Sequence, residues 1–285
     1  MSNRRSRPAF TMIELMFVII ILGIVSSIGA EIIAKVYQEY IVQRAQHKAS
    51  IKVELASQQI ANRLSSVIPG TVVRRLTKSG ASEDITDTMT LDASGHGYTI
   101  LQWVGSDVDS FEASSTQGWS GFCDVNDSID ETYPLSTPGS NLGLTNTIIT
   151  NLNGGSLPVA WSPVVYFPRD PAHHDVDTPL SGTSIGLSND VFHILEHYKF
   201  AWTSYALVVE DREGDGDEDL YLYYAFDPIV SFAIPDGTKS SLILKNISTF
   251  KFMGIGSTIR FKVCSEENIG EKDFNITACK EKAVF

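Results

Sequence analysis

The chain has 285 residues, with 22 basic against 34 acidic side chains and a formal net charge of −12. So acidic a chain is a poor nonspecific binder of nucleic acid, and its one small basic cluster, Arg74-Arg75 with Lys78, reads as a solvated strand edge. The length accommodates a membrane helix plus one globular body of roughly 215 residues.

The first element follows three arginines. Arg4, Arg5 and Arg7 stand before Ala9-Phe10-Thr11-Met12-Ile13-Glu14-Leu15, and an uncharged apolar run extends from Leu15 to Ala30. Glu14 therefore sits at the threshold of a membrane segment. A carboxylate on such a helix costs roughly 2.5 to 3.5 kcal/mol at the bilayer centre, so its presence calls for a charged partner. If the chain is cut after Ala9 one appears, because the new α-amine of Phe10 lies one helical turn before Glu14.

Phe10-Thr11-Met12-Ile13-Glu14-Leu15-Met16 resembles the class III signal of type IV prepilins and type II secretion pseudopilins. The resemblance implies cleavage between Ala9 and Phe10 by a prepilin peptidase, N-methylation of Phe10, and guidance of filament entry by Glu14. It also implies other pilins and an inner-membrane assembly platform as partners. Two positions depart from the family pattern: Ala9 replaces the usual glycine before the cut, and Glu31 stands where many major pilins carry a proline. Gly23 and Ser27, four residues apart, are small enough to let neighbouring helices approach closely.

A conventional secretory signal also needs an apolar core of about 7 to 15 residues, and Ser27 and Gly29 offer a cleavage site. The sequence beyond argues for retention. Apolar residues recur at three- or four-residue intervals through Ile33, Tyr37, Tyr40, Ile41, Ala45, Ala49, Val53, Ala56, Ile60, Leu64 and Val67, an amphipathic helical pattern ended by Pro69-Gly70. The spacing predicts one helix over 10–68, roughly 60 residues and about 90 Å long, after a leader at 1–9. By the positive-inside rule the arginines stay in the cytoplasm, which leaves the body at 69–285 in the periplasm.

From Thr71 the pattern changes to short β-rich runs between turn residues. Strands are predicted at Val72–Leu76, Tyr98–Val104, Val164–Phe167, Tyr205–Glu210, Leu220–Ala225, Thr249–Met253 and Ile259–Val263, with a loop-rich insertion over Ser106–Gly186. The expected fold is α+β, with a long amino-terminal helix packed on an antiparallel sheet.

Within this body the loop Asp211 to Asp219 carries Asp211, Glu213, Asp215, Asp217 and Asp219, with glycines at 214 and 216. Alternating oxygen ligands around a glycine turn suit Ca²⁺, yet Leu222 occupies the position of the bidentate glutamate in an EF-hand frame. The competing reading is a β-hairpin with a solvated acidic tip. Asp170, His173, His174, Asp175 and Asp177 form a second cluster, read as a solvated loop because adjacent histidines point apart. Asp124, Asn126, Asp127 and Asp130 read as an Asx turn.

Cys264 and Cys279 lie close together near the carboxy end, as the paired cysteines of many type IV pilins do, and a periplasmic domain permits them to bridge. Closing a loop of roughly 15 residues contributes about 3 kcal/mol in the chain-entropy model. Cys123 is left over, either a buried thiol or an unpaired cross-linking site. The stretches Asp124-Val125-Asn126-Asp127-Ser128 and Asp273-Phe274-Asn275-Ile276-Thr277 match an extended bacterial glycosylation sequon, a match that composition alone also produces.

No nucleophile elbow, phosphate-binding loop or dinucleotide fingerprint occurs, so no enzymatic activity is expected. The expected function is that of a minor pilin or pseudopilin of a type IV pilus or type II secretion system. The competing expectation is an adhesin or DNA-uptake pilin whose body binds a ligand.

Overall fold

The computed structural model describes residues 11–85, 97–113, 116–128, 134–158, 161–168, 170, 172–188, 194–229, 233–269 and 275–285. The long helix α1 is Met12–Leu64. No proline interrupts it. Its amino-terminal half is rich in β-branched Ile and Val, which are indifferent helix formers in water but suit a segment whose backbone polar groups must all be satisfied internally in lipid.

After α1 come β1 (Val73–Arg75), β2 (Glu83–Asp84), β3 (Ile100–Gly105) and the short helix α2 (Val108–Phe111). Next are β4 (Leu135–Ser136), α3 (Leu142–Leu152), β5 (Val164–Tyr166), β6 (His173–Asp175), β7 (Ser184–Ile185) and β8 (Lys199–Ala201). The chain closes with β9 (Thr203–Glu210), β10 (Asp219–Phe226), β11 (Lys239–Leu244), β12 (Ile247–Ile255), β13 (Thr258–Asn268) and β14 (Asn275–Val284).

The chain forms two compact units, Met1–Lys48 with Glu267–Ile276, and Ala49–Glu266 with Thr277–Phe285. The second is built on an antiparallel sheet in the order β11-β10-β9-β3-β1-β2. Strand alternation sends Leu101, Trp103, Leu207, Leu220 and Leu222 to one face, where they join Val53, Ala56, Ile60 and Leu64 of α1 in one core. The opposite face gathers Ile100, Ala206, Val208, Tyr221, Tyr223 and Phe226 around Ile234. A three-stranded sheet, β12-β13-β14, adds Ile247, Phe252, Ile259, Phe261 and Val263 to the helix-side core.

All seven predicted strands are present, with ends shifted by at most five residues. The helix ends at Leu64 rather than Ile68. There the backbone turns to the sheet: Ser106 N–H donates to Ser66 O at 2.8 Å and Ile68 N–H to Val104 O at 3.0 Å, so sheet pairing takes these groups before Pro69 is reached.

The segment between β3 and β9, which are direct neighbours in the sheet, is an insertion with its own core. Trp119, Leu135, Leu142, Ile149, Val165 and Phe200 are among its buried members. The sequence missed α3, whose Asn141 side chain accepts from Leu144 N–H as an N-cap. Asn141 and Leu142 looked like loop because polar residues dominate around them.

Candidate functional site

In the first unit, helical turns begin at Thr11, whose carbonyl accepts from Glu14 N–H at 3.1 Å and Leu15 N–H at 3.2 Å. Glu14 is exposed in the first turn of α1, where the helix dipole favours negative charge. Ala9 and Phe10 lie outside the described residues.

The apolar run that follows has no partner among the described residues. Met12, Ile13, Leu15 and Phe17 are each more than half exposed, and so are Ile19, Ile21, Leu22 and Ile28. The best 18-residue window of α1 has a mean hydropathy of 2.5 with 0% of it buried. Each Leu, Ile, Phe or Val at the centre of a span contributes about 0.3 to 0.6 kcal/mol toward insertion, so the run outweighs one carboxylate held at its end. A Cβ built at Gly23 or Gly29 meets nothing within 4 Å, so these positions leave the surface open to close approach. Charge returns just past Ala30 with the Glu31–Lys35 pair at 2.8 Å. That exposed i,i+4 pair contributes only a few tenths of a kcal/mol.

The second unit fixes the carboxy terminus twice. Cys264 on β13 and Cys279 on β14 form a disulfide between neighbouring strands. Lys280 Nζ then reaches Glu54 of α1 at 2.7 Å, and Lys282 Nζ reaches Glu54 at 3.2 Å and Gln58 at 2.7 Å. Lys280, followed by Lys282, holds the Glu54 carboxyl below its ordinary range. Sequence reading missed this clamp, although Lys280-Glu281-Lys282 shows the alternation of a strand.

The five acidic-loop residues do not converge. Asp211 accepts from Gly214 N–H at 2.7 Å and Gly216 N–H at 3.0 Å, and both glycines have positive φ, 72° and 89°. Those backbone bonds, Gly214 first, keep the Asp211 carboxyl below its ordinary range. Asp215 accepts from Asp217 N–H, and Glu213 pairs with Lys245 at 2.7 Å. Asp219 is buried and accepts from Asn246 N–H at 3.0 Å. The loop closes a hairpin between β9 and β10, beginning at the Glu210 and Asp219 pair. Among the described residues no three His, Cys, Asp or Glu side chains group as a metal site. The donor set as it stands does not fit Ca²⁺, which takes six to eight oxygens.

The remaining candidates have local roles. His174 Nε2 lies 3.4 Å from Asp170 Oδ2, and Asp177 accepts from Ser188 Oγ at 2.6 Å. Asp124 accepts from Asn126 N–H at 3.0 Å, forming the expected Asx turn; Asp130 and Asp273 lie outside the described residues. Cys123 is fully buried, donates to Leu195 O at 2.9 Å, and has its thiol pushed up to about 11 by burial, an inert environment.

A helix whose amino-terminal apolar run has no partner among the described residues, with a carboxylate in its first turn, fits a membrane-anchored protein. Its signal is recognisable: the family model described as the prokaryotic N-terminal methylation motif matches residues 4–30. This is the signal of type IV pilins and pseudopilins, and it implies processing by a prepilin peptidase and assembly with other pilins. No curated protein and no solved structure matches the chain.

Proposed function

We propose that the chain is a non-enzymatic structural subunit, a minor pilin or pseudopilin of a type IV pilus or type II secretion system. The observation that carries this reading is the coincidence of the methylation motif at 4–30 with a helix whose most apolar 18-residue window is wholly unburied. Arg4, Arg5 and Arg7 support a cytoplasmic amino end. The second unit then faces the periplasm, a compartment compatible with the Cys264–Cys279 bridge.

In this reading the protein waits in the inner membrane, is cut after Ala9 and methylated on Phe10, and enters a filament on an assembly platform. Helix packing replaces lipid contacts during entry, and Glu14 sets register by pairing with the amine of a neighbouring Phe10 in a low-dielectric bundle. The experiment is to compare sheared-filament and membrane fractions of cells expressing Glu14→Ala and Glu14→Gln. Both variants should insert and be cleaved but be lost from filaments. Normal incorporation of both would overturn the role given to the carboxylate.

A further inference from the structure

A cleft of about 810 Å³ opens within the second unit, between the last turns of α1, the segment entering α2, the end of α3 and the inner sheet face. Its volume falls in the range of small-ligand sites, roughly 300 to 1,000 Å³. The floor is aromatic. Trp103 and Tyr205, directly paired on β3 and β9, stack at 6.0 Å, and Arg63 covers Tyr205 at 5.5 Å. Gly105 makes room for that ring, since a Cβ there would lie 2.5 Å from it. Tyr224, half-buried on β10, lines the same cleft.

The rim is polar and of mixed sign. Gln59, Asn62 and Arg63 project from α1, Asp109 from the start of α2, and Ser241 from the edge strand β11. Amides, a hydroxyl, a guanidinium and a carboxylate together offer both donors and acceptors. Two buried wall residues also keep atoms with no hydrogen-bond partner among the described residues: Trp103 Nε1, a donor, and Asp107 Oδ2, an acceptor. An unmet buried polar atom costs about 1 to 3 kcal/mol, and such atoms call for an explanation.

We propose that this cleft is a binding site for a short neutral oligosaccharide. A pyranose ring presents an apolar C–H face to Tyr224, and each of its hydroxyls donates and accepts at once, matching a rim that holds both kinds of group. One guanidinium against two carboxylates gives no cationic excess to select an anion, and the open polar rim does not enclose a lipid chain. The inference is independent of filament assembly.

The test is saturation-transfer NMR on the full chain in phospholipid nanodiscs, with maltotriose, cellotriose, chitotriose, lactose and anionic sialyllactose as probes. At least one neutral sugar should bind saturably. Tyr224→Ala and Asn62→Ala should each weaken it by about tenfold, equivalent to 1.4 kcal/mol, whereas Tyr224→Phe should retain it. Melting curves identify any variant that fails to fold, and Asn62, exposed on the helix surface, provides the second readout. The proposal is overturned if no neutral sugar saturates, if folded Tyr224→Ala and Asn62→Ala both bind like the parent, or if sialyllactose binds more tightly than lactose.

Discussion

Leu64→Ala and Leu55→Ala remove the same atoms from the same helix, and the structure predicts opposite outcomes. Leu64 is 0% exposed in the core with Leu101, Trp103 and Phe261, whereas Leu55 is 60% exposed. Buried Leu→Ala substitutions cost roughly 2.7 to 5 kcal/mol, rising with the cavity that remains, and the site at Leu64 is walled by sheet residues that collapse poorly. A cost of about 4 kcal/mol should lower the melting temperature by about 8 to 16 °C for a body of this size. Leu55→Ala should stay within about 0.5 kcal/mol. Urea unfolding of the full chain in detergent micelles, followed by tryptophan fluorescence, reads both. A Leu64→Ala cost below about 1 kcal/mol, or equal costs for the two, would refute the assignment of the buried face of α1.

Replacing Cys264 and Cys279 together with serine should lose about 2 to 4 kcal/mol, and non-reducing peptide mapping of the parent should recover only the 264–279 link. Burial pushes the Asp107 carboxyl up to about 6, so its contribution to stability is present in full below about pH 4 and is lost as pH rises through 6. Asp107→Asn should therefore gain on the parent by on the order of 3 kcal/mol between pH 4 and pH 7.5, and a difference constant with pH would contradict the burial. Asp211 has the opposite sign: its depressed carboxyl stabilises above its unfolded value and that stabilisation fades as pH falls through the folded value, so Asp211→Asn should flatten the acid limb. If the acidic turn is held by its own backbone bonds, Asp211→Ala should lower the melting temperature equally in calcium and in chelator; a rise with calcium that Asp215→Ala abolishes would instead restore a calcium loop.

The helix stripe was readable because Val53, Ala56, Ile60 and Leu64 obey one period and all face one core. The central strands were readable for the same reason, each carrying a run of Tyr, Leu, Val or Ile between turn residues. β11 and β14 were not, because edge strands such as Lys239–Leu244 and Asn275–Val284 mix polar with apolar residues, bury little and owe their conformation to one paired neighbour. At the amino terminus, sequence and family comparison meet on the same residues, since Glu14 and the run after it depend on local chemistry alone. The cleft was invisible in sequence: Arg63, Tyr205, Tyr224 and Ser241 converge only through long-range strand pairing. The acidic loop read two ways in sequence because alternating carboxylates suit both a cation and a glycine turn, and the Asp211 bonds to Gly214 and Gly216 are the turn arrangement present.

The most direct test of a pilin-type subunit is the intact mass and amino-terminal sequence of the protein extracted from native membranes. The expected product begins at Phe10 and carries one additional methyl group on its α-amine. A mature chain that retains Arg4, Arg5 and Arg7, or one that begins at Glu31 after conventional signal cleavage, would contradict it.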